Sequence, residues 1–297
     1  MKILITGGSG LLGQYLNCEL YTDNEILTLY NENEGNCREF NSLKSDLSDI
    51  INLEKIFSEF KPDVVIHSAA ISRPEQCDAL PEEYVRNVNI VLTENFAELC
   101  LKYNSKLIFT STDLVYDGDQ GRMLTEESIL NPVSFYAATK VESEESIKKI
   151  FDNYIILRTS LLYGMGMNHS VNNFHIMYNN FVENKRSKLF YDQFRTPLSL
   201  KNAAEIISEL ITKDIKNVVL NFGGRERVSR VEIAEITCDV CNFDRSLIEK
   251  VSMYEVENLH KVADVSLNTD KLQSFGIKQK SIEESVSEIV RKLKVKS

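Results

Sequence analysis

The 297-residue chain has no tryptophan, only five prolines, and four histidines set far apart. With so few prolines, and with 43% hydrophobic and 26% charged residues, nothing in it reads as disordered or low in complexity, and no internal repeat is visible. The dispersed histidines form no ligand spacing, so no metal is expected. Long apolar runs are missing as well. The long uncharged segment from Thr159 to Val182 is full of asparagine, which argues against a membrane span. The apolar start after Lys2 is cut by Gly7, far short of a signal-peptide core.

Positive charge is in deficit, with 34 Lys and Arg against 44 Asp and Glu and a net charge of −10. Nucleic acid requires a basic surface, so that class of partner is excluded. An anionic ligand must instead be met by Arg or Lys placed locally. Six cysteines (18, 37, 77, 100, 238 and 241) fall mostly on predicted helices, which fits reduced thiols and a cytoplasmic protein. Cys238-Asp-Val-Cys241 is a lone CxxC inside a helical pattern. Without a second ligand pair it reads as two small residues near one helix face.

What is present begins at residue 1. Ile3, Leu4 and Ile5 form the continuous apolar run of a strand buried on both faces, and Thr6-Gly7 breaks it. Glycines at 7, 10 and 13 follow, then a helical pattern through Leu11, Leu12, Tyr15, Leu16 and Leu20. Glycine lets the backbone approach a pyrophosphate at the positive end of a helix dipole. A glycine triplet alone also fits an ordinary strand-to-helix turn; the second strand, Glu25 to Tyr30, supplies the βαβ context.

Strand and helix patterns then alternate. The helical stretch Leu53, Ile56, Phe57, Phe60 precedes the strand Val64 to His67, which ends in the small residues Ser68-Ala69-Ala70. A helix containing Tyr84, Val85, Val88, Leu92 and Phe96 leads to the strand Lys106 to Thr110. This is the α/β pattern of a doubly wound, Rossmann-like parallel sheet. After the second strand stand Asn31 and Glu32, and no Arg appears before Arg38. Asn31 can bond a hydroxyl or a phosphate, which leaves NADPH or NADH open, with a slight lean away from strict NADP.

Tyr136 and Lys140 lie four apart on one predicted helix face. An ammonium near a phenol favours phenolate, so the tyrosine is expected to titrate lower than usual and to exchange protons. Thr112, at the mouth of the sheet, adds a hydroxyl for a carbonyl oxygen. Together these three describe carbonyl reduction or alcohol oxidation, although YxxxK alone is common on solvated helices.

The chain resembles the extended short-chain dehydrogenase/reductase family, on TGGSGLLG at 6–13, DL at 46–47, HSAA at 67–70, NVN at 87–89, STDLVYDG at 111–118 and YAATK at 136–140. Within that family it is most similar to dTDP-4-dehydrorhamnose reductases. That likeness adds RTSLLYG at 158–164, DQF at 192–194, and the segments 223–234 and 264–272.

The resemblance implies Thr112, Tyr136 and Lys140 as the catalytic trio, and Gly7, Ser9, Gly10, Leu11, Leu12 and Gly13 as the pyrophosphate turn. Asp46 and Leu47 would touch adenine and Ser68, Ala69 and Ala70 the ribose, with Asn31 also on the cofactor. Asn89 would be a structural and cofactor-side residue. Arg195 would pair with a sugar-nucleotide pyrophosphate, with Arg73 and Asp113 also on the substrate side. Leu114 stands where the family's dehydratases carry a glutamate that moves a proton, which disfavours dehydration. Leu161 replaces a sugar-packing tryptophan, and Arg195 replaces the glycine of DQFG loops.

The family layout implies a dinucleotide-binding Rossmann domain at 1–160 and 195–222, and a smaller C-terminal α/β substrate domain at 161–194 and 223–297. The basic end, Arg291 to Lys296, fits a helix terminus that suits its dipole. The implied activity is NAD(P)H-dependent reduction of the 4-keto group of a nucleotide-linked 6-deoxyhexose, in nucleotide-sugar biosynthesis. A nucleotide-sugar epimerase is one alternative. A non-catalytic dinucleotide-binding protein similar to the methionine adenosyltransferase β subunit is another. A nucleotide sugar is the expected ligand, no membrane or nucleic-acid partner is expected, and a homodimer is left open.

Overall fold

The computed structural model describes residues 1–257 and 259–296, with their side chains through Lys294. Asn258 and Ser297, inside the expected 223–297 segment, lie outside the described residues. The first half runs β1 (Lys2–Thr6), α1 (Leu11–Leu20), β2 (Glu25–Tyr30), β3 (Ser42–Lys44), α2 (Ile50–Phe60), β4 (Val64–His67), α3 (Pro74–Ala79), α4 (Glu82–Arg86), α5 (Leu92–Tyr103), β5 (Lys106–Thr112), α6 (Phe135–Ile150) and β6 (Tyr154–Thr159). Then come β7 (Leu162–Tyr163), α7 (Asn173–Val182), β8 (Ser187–Phe190), β9 (Phe194–Arg195), β10 (Leu198–Ser199), α8 (Leu200–Thr212), β11 (Val218–Phe222), β12 (Val228–Ser229), α9 (Arg230–Cys241), β13 (Ile248–Val251), α10 (Asp270–Ser274) and α11 (Ile282–Lys296).

Seven strands form one sheet in the order β11-β6-β5-β4-β1-β2-β3, and every pairing in it is parallel. The pleat sends successive side chains to opposite faces, so Ile3 and Ile5 enter one core and Leu4 the other. Val64 and Ile66 follow the first pair, while Val65 follows Leu4. Helices α1 and α8 cover one face. Helices α2, α5 and α6 cover the other, through Phe57, Phe96 and Ile147. Each such large apolar side chain, fully buried, contributes about 1.5–3 kcal/mol. The strand order reverses between β1 and β4, and the crevice at their carboxyl ends is where a doubly wound sheet binds its ligand.

A second core lies beyond the sheet. Phe174, Met177 and Phe181 of α7 pack with Val231, Ile233 and Ala234 of α9 and with Val286 and Val290 of α11. The expected 223–297 segment does not stay in this layer throughout. Leu272 and Ile277 pack with Ile206, Leu210 and Leu220 under the main sheet, because α10 brings its apolar side against β11. Among the described residues no helix is long and apolar enough to cross a membrane. No cluster of three or more His, Cys, Asp or Glu among them is arranged to hold a metal.

Candidate active site

The glycine turn joins β1 to α1 through backbone that only glycine accommodates. Gly7 has φ +66°, and a Cβ on Gly13 would stand 2.1 Å from the Gly7 carbonyl oxygen. Gly10 caps α1 without any side-chain hydrogen bond. The first N–H groups of a helix have no partners within it, so this end is a cradle for an anion. Ser9, Gly10, Leu11, Leu12 and Gly13 all line the same cleft, and its volume is about 1420 Å³. That exceeds the roughly 300–1,000 Å³ of a single small-ligand pocket. On the same wall the Asn172 Nδ2 amide is buried without a partner, a donor waiting for an acceptor. These features fit a dinucleotide with a second ligand beside it.

The neighbouring strand end is set by a chain of hydrogen bonds. Thr6 Oγ1 accepts from the Ser68 and Ala69 amides at 3.2 Å each and lies 2.7 Å from His67 Nδ1. His67 Nε2 is 3.2 Å from Thr93 Oγ1, which donates to the Asn89 carbonyl at 2.7 Å. Burial, with the charge of Lys140 second, drives His67 down to about 3. The ring is therefore neutral, and it locks Ser68, Ala69 and Ala70 onto the cleft wall.

Asn89 sits in a π-helical turn, Asn87–Val91, between α4 and α5. Its amide brackets Ile71, accepting from N at 2.9 Å and donating to O at 3.1 Å, and donates to Thr139 Oγ1 at 3.1 Å. It is buried and does not line the cleft. The structural half of its expected role is visible; the cofactor contact is not, because every amide hydrogen is already committed.

Thr112 ends β5 and its hydroxyl is hydrogen-bonded to that of Tyr136. Ser134 caps α6 through the Ala137 amide at 3.2 Å, which places Tyr136 and Lys140 on the cleft side. The expected lowering of the Tyr136 pKa is reversed. Burial raises it, Thr112 opposes, and Asp113 and Cys77 raise it further. The ammonium of Lys140 lies over the Phe109 ring at 4.0 Å, and burial brings it down to about 7 against the pull of Glu144. Spacing put both residues on one helix face, but desolvation is the largest influence on each. Tyr136 is thus a protonated donor at neutral pH.

Behind α6, Glu144 is fully buried and accepts from Ser111 Oγ at 2.6 Å and from Arg158 Nη2 at 2.8 Å. Arg158 also donates to the Tyr116 hydroxyl at 2.9 Å. This network fastens the helix of Tyr136 and Lys140 to β5 and β6.

On the substrate side, Asp113 is buried and does not stand free for a sugar. Its Oδ2 lies 3.4 Å from Arg195 Nε and 3.2 Å from Ser160 Oγ, while Thr112 Oγ1 is 3.4 Å from Oδ1. Burial raises its pKa, with Arg195 the largest opposing influence. Antiparallel pairing of β9 with β12 sets Val228 opposite Arg195, which delivers Arg230, the first residue of α9, to the same wall. Burial, then repulsion from Arg195, takes Arg230 down to about 10. Two guanidinium groups so placed meet an anion. Arg73, exposed at the start of α3, also lines the cleft.

At the other end Asn31, Asp46 and Leu47 follow β2 and β3 and line the cleft. The Asp46 carboxylate accepts from Ser48 N at 2.9 Å and Ser48 Oγ at 2.7 Å. The remaining expected residues, Gly7 and Ala70 among them, line it too.

Four contributors escaped sequence reasoning: Arg230, Gln193, Ser160 and Gln14. Gln193 Oε1 accepts from Arg230 Nε at 3.0 Å, and its neighbours in DQF are equally occupied. Asp192 accepts from Met253 N at 2.9 Å, and Phe194 lies 3.7 Å beneath the Arg227 guanidinium. A signal for Arg230 was present: a cation in the first turn of a helix opposes the dipole, so another attraction must hold it there.

The chain matches the family described as the RmlD substrate binding domain over residues 1–295. Methionine adenosyltransferase 2 subunit beta of Xenopus laevis is 27% identical over 285 residues, 94% of this chain and 84% of that one. dTDP-4-dehydrorhamnose reductase of Aggregatibacter actinomycetemcomitans is 29% identical over 262 residues, 84% of this chain and 81% of that one. In structure it is similar to dTDP-4-dehydrorhamnose reductase from Bacillus anthracis in complex with NADP, at a TM-score of 0.84 and 23% identity, covering 98% and 99% of the two chains. This chain belongs to the RmlD substrate binding domain family, a branch of the extended short-chain dehydrogenase/reductases.

Proposed function

We propose that the protein is an NAD(P)H-dependent reductase of the 4-keto group of a nucleotide-linked 6-deoxyhexose, as in dTDP-4-dehydrorhamnose reductases. The observation that carries this reading is the Tyr136 hydroxyl, protonated, hydrogen-bonded to Thr112 and facing the cleft that holds the glycine turn. Residues 1–13, 31, 46–47 and 68–70 would hold the dinucleotide. A reduced nicotinamide, when bound, supplies the hydride.

The protein's own residues do the rest. Thr112 and Tyr136 hold the sugar's carbonyl oxygen between two hydroxyls. As negative charge develops there, Tyr136 gives up its proton, a contribution of about 10²–10⁴-fold for a positioned acid. Lys140, titrating at about 7, stabilises the phenolate left behind. Arg195 and Arg230 neutralise the diphosphate through donor forks matched to phosphate oxygens. Met177, Phe174 and Ile233 line the cleft on the far side and exclude water from the reacting carbonyl. Leu114 carries no proton, consistent with reduction without dehydration.

A second reading, a non-catalytic dinucleotide-binding subunit, is favoured by the likeness to methionine adenosyltransferase 2 subunit beta across 94% of the chain. Incubation with dTDP-4-keto-6-deoxyglucose, with and without a 3,5-epimerase, separates the two. Loss of reduced-nicotinamide absorbance is expected. Bound dinucleotide without any turnover of keto sugars would favour the second reading.

A further inference from the structure

One fully buried side chain joins two stretches that lie more than 150 residues apart in sequence. Gln14 of α1 does not line the cleft. Its Nε2 donates to the carbonyls of Ser9, in the glycine turn, and of Met167 at 3.0 Å each, and lies 3.2 Å from Ser170 Oγ. Its Oε1 accepts from Asn168 Nδ2 at 2.6 Å. Ser170 Oγ donates in turn to the Ser9 carbonyl at 3.1 Å, and the Tyr15 hydroxyl to the Met165 carbonyl at 2.7 Å. Among the described residues, segment 165–170 makes no other hydrogen bond outside itself except from Gly166 N to His175 Nδ1 of α7 at 3.0 Å.

The two stretches border different parts of the cleft. Ser9 and Gly10 line it where α1 begins, and His169, Ser170 and Asn172 line it where α7 begins. Asn172 caps α7 by accepting from His175 N at 2.9 Å. Phe174 and Met177 of α7 share a core with Val231 and Ile233 of α9, the helix that opens with Arg230. A continuous run of contacts thus leads from the glycine turn, through Gln14 and the segment it holds, to the helix of Arg230.

We infer that Gln14 couples the two halves of the cleft, so that a dinucleotide on the glycine turn tightens binding of the nucleotide sugar beside it. Gln14 is a positioning residue, acting through Ser9 and Ser170. A pyrophosphate held by the turn's amides fixes Ser9 and Gly10, and with them the Ser9 carbonyl to which Gln14 Nε2 and Ser170 Oγ are bonded. The segment leading to α7 is ordered in the same event. The second ligand then meets a wall whose conformational entropy is already lost, which favours its binding. Linkage makes the effect reciprocal: the nucleotide sugar tightens the dinucleotide by the same factor. The inference rests on the cleft holding a dinucleotide beside a nucleotide sugar, as proposed above.

Calorimetric titration of the full chain with dTDP, with and without saturating NADH or NADPH, tests it without reading activity. In the wild type the dinucleotide is expected to tighten dTDP by about fivefold or more. In Gln14→Leu that factor is expected to fall to about one while each ligand still binds alone. Asn168 is exposed and adopts φ +52°, which glycine accepts, so Asn168→Gly removes the amide on Gln14 Oε1 with little strain and is expected to lower the factor as well. A purely structural role for Gln14 would weaken each ligand alone and leave the factor unchanged. That result, or a wild-type factor of about one, would overturn the inference and leave both binding sites standing. Dinucleotide binding without dTDP binding would overturn the proposed substrate class, and binding of neither the reading of the whole cleft, each taking the inference with it.

Discussion

Arg195 and Asp113 form an ion pair with Nε 3.4 Å from Oδ2, and each is less than a tenth exposed. Asp113 therefore serves the site by holding Arg195 and by closing a run of polar contacts from Thr112 to Ser160. Removing one member of such a pair strands the other charge in a dry place. Asp113→Ala is expected to cost about 3–5 kcal/mol in urea unfolding, and Asp113→Ala/Arg195→Met clearly less than the sum of the single changes. Additive losses would mean that the two side chains do not depend on one another.

Lys140 carries a stability signature with a definite sign. Its folded pKa, about 7, lies below the unfolded 10.5, so the unfolded chain binds more protons between those values and stability rises with pH across that window. The cost of burying the ammonium is complete below about pH 7 and fades toward pH 10.5. Lys140→Met is expected to raise stability by a few kcal/mol (about 2–5) at pH 6 and by progressively less as pH rises. Denaturant unfolding at several pH values, without added dinucleotide, checks this. A gain independent of pH would contradict it.

Gln14 is fully buried and joins three segments. Its Nε2 donates to the Ser9 and Met167 carbonyls at 3.0 Å each, and its Oε1 accepts from Asn36 N and from Asn168 Nδ2. The turn, the loop after β2 and the segment leading to α7 are thereby held together. Gln14→Leu strands several of these groups, and a loss on the order of 3 kcal/mol is expected. Hydrogen exchange should speed up at 33–37 and 165–170 together; acceleration at only one of the two would show that Gln14 does not couple them.

The parts of this site that sequence made legible are local in the chain. Gly7, Gly10 and Gly13 fall within one turn, and Tyr136 and Lys140 within one helical turn, so spacing put each set on one element, and the neighbouring strand and helix patterns singled it out. Small residues at 68–70 pointed to the crevice because a strand end needs room there. Arg230 was legible only as a cation set against its own helix dipole; that it reaches the cleft depends on the pairing of β9 with β12, between segments more than thirty residues apart in sequence. The Tyr136 pKa was misjudged in sign because burial, the largest influence on it, cannot be read from spacing. Asn89 was placed on the right helix, but the π turn that commits its amide to Ile71 and Thr139 leaves no trace in composition. The return of Leu272 and Ile277 to the main core was hidden for the same reason, since tertiary packing decided it.

The most direct measurement is reduced-nicotinamide consumption with dTDP-4-keto-6-deoxyhexose by the wild type and by Tyr136→Phe, alongside dinucleotide binding to both. The phenylalanine keeps the ring and removes the hydroxyl that carries the proton. Turnover that falls by about 10²–10⁴-fold while dinucleotide binding is retained is the predicted result. Wild-type turnover in Tyr136→Phe, or dinucleotide binding with no turnover in either protein, would contradict it.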